Sequence, residues 1–122
     1  MLYFTVAARK IVANAPLLIL AFATAARAAA PIDCAKAQSP TERTICHTPS
    51  LLQNDARLAA YFEIATQFVG MGVRGDLYDS QQAFPTRRDK CGTDKACILA
   101  AYKQQVAPLE AIIANVKSHG PF

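Results

Sequence analysis

Histidine is scarce in this 122-residue chain: His47 and His119 are the two copies. Neither has the spaced Cys or His partners that a tetrahedral zinc site requires. Cys46 and His47 are neighbours, which on a helix point about 100° apart, so the pair reads as a half-cystine beside a surface histidine. No C-x-x-C-H segment offers haem attachment, and no G-x-S-x-G elbow exposes a serine nucleophile. The nine acidic residues are too scattered to single out a carboxylate pair for glycoside hydrolysis. These absences leave no catalytic residue, no metal-ligand set and no cofactor motif to nominate, and the chain reads as a non-enzyme. Strand-like alternation, internal repeats and low-complexity tracts are also missing, which points to an all-α fold.

What the chain does have begins with an export signal. Arg9 and Lys10 precede an apolar stretch at residues 11–26, with Leu17, Leu18, Ile19, Leu20 and Phe22 at its heart. Small residues follow, and Ala26-Arg27-Ala28 fits the A-x-A pattern of a signal-peptidase site. A cut after Ala30 is disfavoured because Pro31 would follow it. Residues 1–28 are therefore expected to be a cleaved signal peptide and residues 29–122 the mature domain, periplasmic or secreted. The rival is an uncleaved anchor. Asn14 and Pro16 interrupt the run, which falls short of the roughly 20 apolar residues that a span needs, so no stable membrane span is expected after cleavage. Cys34 follows Ala-Pro-Ile-Asp, which is no lipid-attachment context.

The formal charge of +4 comes largely from that segment. Arg9, Lys10 and Arg27 are three of the 13 basic residues, and no acid lies among the first 28, so the mature domain carries about +1. No clustered basic face of the kind that reads nucleic acid remains. The cluster Arg87-Arg88-Asp89-Lys90 reads as a solvated helix end with a local ion pair in preference to a contact for an anionic partner.

About 94 residues remain of the 122, enough for one domain with a modest core. Its four cysteines, Cys34, Cys46, Cys91 and Cys97, form an even set that predicts two disulfides with three connectivities open. Loop-closure entropy would give about 3 and about 2.4 kcal/mol for the two short loops and more for long-range pairing, so energy does not select among them. Local pairing, Cys34 with Cys46 and Cys91 with Cys97, is favoured because each pair flanks a short turn unit and would clamp helix ends.

Helix signals recur along the mature chain. Residues 31–37 predict an extended or single-turn opening. Ser39-Pro40-Thr41-Glu42 has a serine cap, proline at the first position and a glutamate three after the cap, predicting a short helix over 40–46. Thr48-Pro49 starts a second helix of about 20 residues, with a stripe of Leu51, Leu52, Leu58, Phe62, Ala65, Phe68 and Val69. Tyr61, Phe62 and Phe68 are expected to fill the core. Gly70, Gly72 and Gly75 predict a flexible loop over 70–76. A third helix is expected over 76–89, with Leu77, Gln81, Phe84 and Arg88 on one side and Pro85 kinking or splitting it. After a turn at 91–94, Thr93 or Asp94 caps a last helix with the stripe Cys97, Ile98, Ala101, Tyr102, Leu109, Ile112, Ile113 and Val116. Pro108 should bend that helix, Gly120 should end it, and His119 should fall in a mobile tail. The expected architecture is a bundle of three to four helices stapled by two disulfides.

Two motifs stand out together. The first is Asp33-Cys34-Ala35-Lys36-Ala37, Glu42, Ile45-Cys46, Pro49, Leu51 and Asp55-x-x-Leu58. The second is Gln81-x-x-Phe84, Arg88-Asp89-x-Cys91-Gly92-Thr93-Asp94-x-x-Cys97, Ala101-Tyr102 and Leu109. In order, spacing and both cysteine pairs they resemble the lysozyme-inhibitor-type family of small exported bacterial proteins (the LprI-like N-terminal domain, formerly a domain of unknown function), over residues 32–113. The chain departs from that pattern at Phe84 and Phe62, where the family tends to have tryptophan and tyrosine, at Asn54 in place of leucine, and at Pro85. The resemblance implies an exported binding protein that inhibits a lysozyme-type muramidase, and supplies no motif of inhibitory residues. The other reading is a periplasmic envelope-interaction or chaperone-like module without an enzyme target, for which the glycine-rich segment 70–76 would supply adaptable contacts.

Overall fold

The computed structural model describes residues 30–120. The expected signal peptide and its Ala26-Arg27-Ala28 cleavage site lie outside the described residues.

A single 3-10 turn, Cys34–Lys36, opens the chain and leads into four α-helices: α1 Pro40–Cys46, α2 Pro49–Gln67, α3 Met71–Asp89 and α4 Lys95–Ser118. There is no strand among the described residues. The local chemistry at each helix start accounts for the order. Ser39 Oγ accepts the Glu42 N–H at 3.0 Å while Glu42 Oε2 accepts the Ser39 N–H at 3.1 Å, a reciprocal capping box with Pro40 at the first position. At α4, Asp94 Oδ1 accepts the N–H groups of Ala96 and Cys97 at 2.9 and 3.1 Å. The turn between α3 and α4 needs glycine at residue 92, whose φ is +57°.

The two disulfides are Cys34–Cys46 and Cys91–Cys97. The first fastens the opening turn to the end of α1, and the second closes the corner between α3 and α4. Thr41 connects the two stapled regions: its buried hydroxyl donates to the Gly92 carbonyl at 2.7 Å.

The core forms where α2 lies along α4, with α1 and the second half of α3 closing its sides. Leu51, Leu58, Phe62 and Ala65 of α2 meet Ile98, Tyr102, Val106 and Leu109 of α4, and Ile45 and Phe84 complete the cluster. Burying one such side chain stabilises by about 1.5–3 kcal/mol, which makes this seam the main source of stability.

Several expectations are corrected. Residues 71–75 are helical, so the glycine-rich loop over 70–76 is absent and Gly70 is the N-cap of α3. Gly72 and Gly75 have ordinary negative φ. Their helix is held by Tyr78, whose ring stands edge-on to Phe62 at 5.0 Å, and by Arg74, which donates to the Val69 carbonyl. α3 is not split at Pro85: one helix runs from Met71 to Asp89, with the proline at an exposed position where water can reach a freed carbonyl. Phe68 is 53% exposed and lies outside the core, because α2 ends at Gln67 and the heptad-like stripe outlasts the helix. Thr48 stands at the N-cap of α2 without making a capping bond. His119 is the C-cap of α4, with Nδ1 at 2.7 Å from the Asn115 carbonyl.

Candidate functional site

Motif residues that are far apart in sequence converge on one polar assembly. Asp55 of α2 is buried; its Oδ1 accepts the Tyr102 hydroxyl at 2.8 Å and its Oδ2 accepts the Ile32 N–H at 2.6 Å. Arg88 of α3, expected at a solvated helix end, is instead 4% exposed. Its Nη1 donates to the Tyr102 hydroxyl at 3.5 Å, its Nε and Nη2 reach Asp89 Oδ1 at 2.9 and 2.8 Å, and Nη2 lies 3.8 Å from Glu42 Oε1. The guanidinium also sits over the Phe84 ring, 5.9 Å from its centroid. A buried arginine survives here because each face of it meets an anion, a hydroxyl or a π-system.

These contacts form the floor of a cleft of about 450 Å³ between the opening turn, α1, α2 and α3, lined among others by Ile32, Glu42, Asp55, Gln81, Phe84 and Arg88. The electrostatics lock Tyr102, Glu42 and Arg88 in their ordinary charge states. Burial pushes the Tyr102 phenol well above its usual value, and the Asp55 carboxylate adds to that while Arg88 opposes it. Backbone N–H groups of Gln38 and Ser39 lower the Glu42 carboxyl, with help from the Arg88 and Arg43 charges. Burial alone would lower the Arg88 pKa. The Tyr102 phenol and the Asp89 carboxylate outweigh it, and the net direction is upward. The phenol stays protonated, Glu42 ionised and Arg88 charged, so none of the three exchanges protons near neutrality. The assembly braces α1, α2, α3 and α4 together. A second brace lies nearby, where Gln105 Oε1 accepts from Arg87 Nη2 at 2.6 Å and Gln105 Nε2 donates to Gln81 Oε1 at 3.2 Å.

Among the described residues no group of three or more His, Cys, Asp or Glu side chains is placed to hold a metal ion. Nor is any helix long and apolar enough to cross a membrane. The disulfide pairs, nominated from sequence, lie at the helix ends and point to an oxidising compartment.

The surface carries one feature that the motifs did not announce. Ile64, Phe68, Met71, Val73 and Tyr78 are all large, apolar and exposed, Met71 at 87%, and they flank the corner between α2 and α3. Phe68 also borders a shallow groove of about 400 Å³ that continues along α4 past Ile112 and Val116. Glu63, Asp76 and Asp79 are exposed in the same stretch of chain, and Asp76 and Asp79, three apart on α3, share a side of the helix. The signal in the sequence is the apolar run that continues past the end of α2 through Phe68 and Val69.

A scan against family models and searches of curated proteins and of solved structures found no match to the chain.

Proposed function

We propose that the mature domain is a periplasmic or secreted binding protein that acts by docking on a partner and not by catalysis, and that the partner is a lysozyme-type muramidase which it inhibits. The observation that carries the reading is the exposed apolar corner between α2 and α3. Phenylalanine, methionine and tyrosine are enriched at the cores of protein interfaces, and several of them stand exposed here. Two disulfides and a buried ionic brace hold the scaffold rigid, which lowers the entropic cost of docking. Glu63, Asp76 and Asp79 are exposed in this stretch of chain together with Arg74, and a domain of about +1 overall provides little long-range steering toward a basic target. The muramidase as target comes from the motif resemblance.

The second reading, an envelope-interaction or chaperone-like module, is favoured by Met71. A flexible thioether that stands almost fully in solvent suits a surface that adapts to several partners. Pull-down from periplasmic extract with the oxidised domain separates the two. The inhibitor reading predicts a muramidase as the dominant captured protein. Capture of a mixture without one overturns it in favour of the adaptable module.

A further inference from the structure

A third depression, of about 380 Å³, opens where α1, the start of α2 and the start of α4 meet. Arg43 and His47 line it from α1 and its C-cap, and Lys95 lines it from the first position of α4. Thr44, Thr48 and Thr93 line the same space, and among the described residues no carboxylate does. Two acids flank the lining residues in sequence: Asp94 has its Oδ1 committed to the first N–H groups of α4, and Glu42, whose carboxyl the Arg43 charge helps to lower, accepts from the Gln38 and Ser39 N–H groups. The side chains of His47 and Lys95 make no hydrogen bond or ion pair among the described residues, and Arg43 commits Nη1 to the Gln38 carbonyl.

Thr48 borders the depression, but its hydroxyl is enclosed. Its Oγ1 is buried and has no hydrogen-bond partner among the described residues. It stands at the N-cap of a 19-residue helix, where a threonine oxygen ordinarily accepts from the first turn. The walls of the depression are fixed. Cys34–Cys46 holds α1, Cys91–Cys97 closes the turn that carries Thr93 and Lys95, and the Thr41 bond to the Gly92 carbonyl joins one wall to the other.

We propose that this depression binds an oxyanion group of a larger ligand, gripped by Arg43, His47 and Lys95. The chemistry shared by phosphate or sulfate esters and carboxylates suits cationic side chains interleaved with hydroxyls. The positive end of α2 reinforces it. The site is separate from the apolar corner and does not depend on the identity of the protein partner.

The test uses the oxidised domain, titrated with inorganic phosphate, sulfate and acetate and followed by backbone amide shifts. The proposal expects saturable shifts confined to Thr44, Thr48, Ser50 and Thr93, with a dissociation constant of about 10 mM or tighter. Phosphate and sulfate ahead of acetate assigns a dianionic ester, and the reverse order assigns a carboxylate. Arg43→Gln and Lys95→Gln each weaken binding several-fold, whereas Lys103→Gln, on a remote part of α4, does not. Thr48→Val leaves binding unchanged, because the enclosed hydroxyl does not reach the ligand, and the free domain melts at the same or a higher temperature. Absence of saturation, or shifts that survive the Arg43 and Lys95 substitutions, overturns the proposal.

Discussion

The Tyr102 hydroxyl donates to Asp55 Oδ1 at 2.8 Å, joining α4 to α2 across 47 positions of sequence with both residues buried. Asp55 in turn holds the Ile32 N–H, so one carboxylate ties the N-terminal segment to the central helix pair. Tyr102→Phe keeps the ring, its packing against Phe84 at 5.1 Å and the core volume, but leaves one oxygen of Asp55 buried without its donor. The expected loss is about 1–3 kcal/mol, measured by urea denaturation, with helix content unchanged.

The same phenol sets the alkaline limit of stability. Its folded-state pKa lies above the ordinary value of about 10, so its contribution is complete below pH 10 and is lost as pH rises above that, because the unfolded chain releases the proton first. Tyr102→Phe should flatten that limb of the stability curve. Glu42 acts in the opposite sense: its folded pKa is lowered, so its contribution is present above the ordinary carboxylate value and fades as pH falls through the folded one. Glu42→Gln should flatten the acid limb. Denaturation midpoints recorded across pH check both directions.

Much of the fold is legible in the sequence because the signals are local. Ser39-Pro40 and Asp94 mark helix starts by bonds made within three residues, and cysteines six and twelve apart find each other across single turns. The face of Arg88, shared with Leu77, Gln81 and Phe84, is legible, but its burial is not, because a charged residue at a helix end looks solvated until Glu42 from another helix and Tyr102 from a third are known to meet it. Phe68 misleads for a related reason: periodicity records which face a residue would occupy, and the helix ends before that face reaches the core. The α3 glycines read as a loop because nothing local reveals that Tyr78 packs on Phe62.

Those glycines give a sharp test of the helical start of α3. A Cβ added at Gly72 or Gly75 meets nothing within 4 Å, and neither residue has positive φ. Gly72→Ala and Gly75→Ala should each stabilise the domain by about 0.4–1 kcal/mol. Gly92→Ala should do the reverse, by about 1 kcal/mol or more, because residue 92 sits at φ +57°. Thermal melts of the three variants distinguish a helix at 71–75 from a loop.

The disulfides act independently. Cys91→Ala should leave Cys97 as a free thiol with Cys34 still bonded to Cys46, and should cost about 2–3 kcal/mol. A domain of this size holds about 5–10 kcal/mol in total, at roughly 0.05–0.15 kcal/mol per residue, so loss of one staple spares the helices and loss of both removes much of the margin. Peptide mapping under non-reducing conditions checks the pairing, and circular dichroism checks the helices.

The central claim is inhibition of a muramidase through the corner between α2 and α3, and cell-wall lysis in the presence of increasing oxidised domain tests it most directly. The account predicts that lysis falls to a plateau as the domain approaches molar equivalence. It also predicts that Phe68→Ser weakens the effect by about 2 kcal/mol or more, as truncation of an interface anchor does, with a melting temperature close to that of the parent because the side chain is 53% exposed. Lysis that continues unchanged at a large molar excess, across several lysozyme classes, would contradict it.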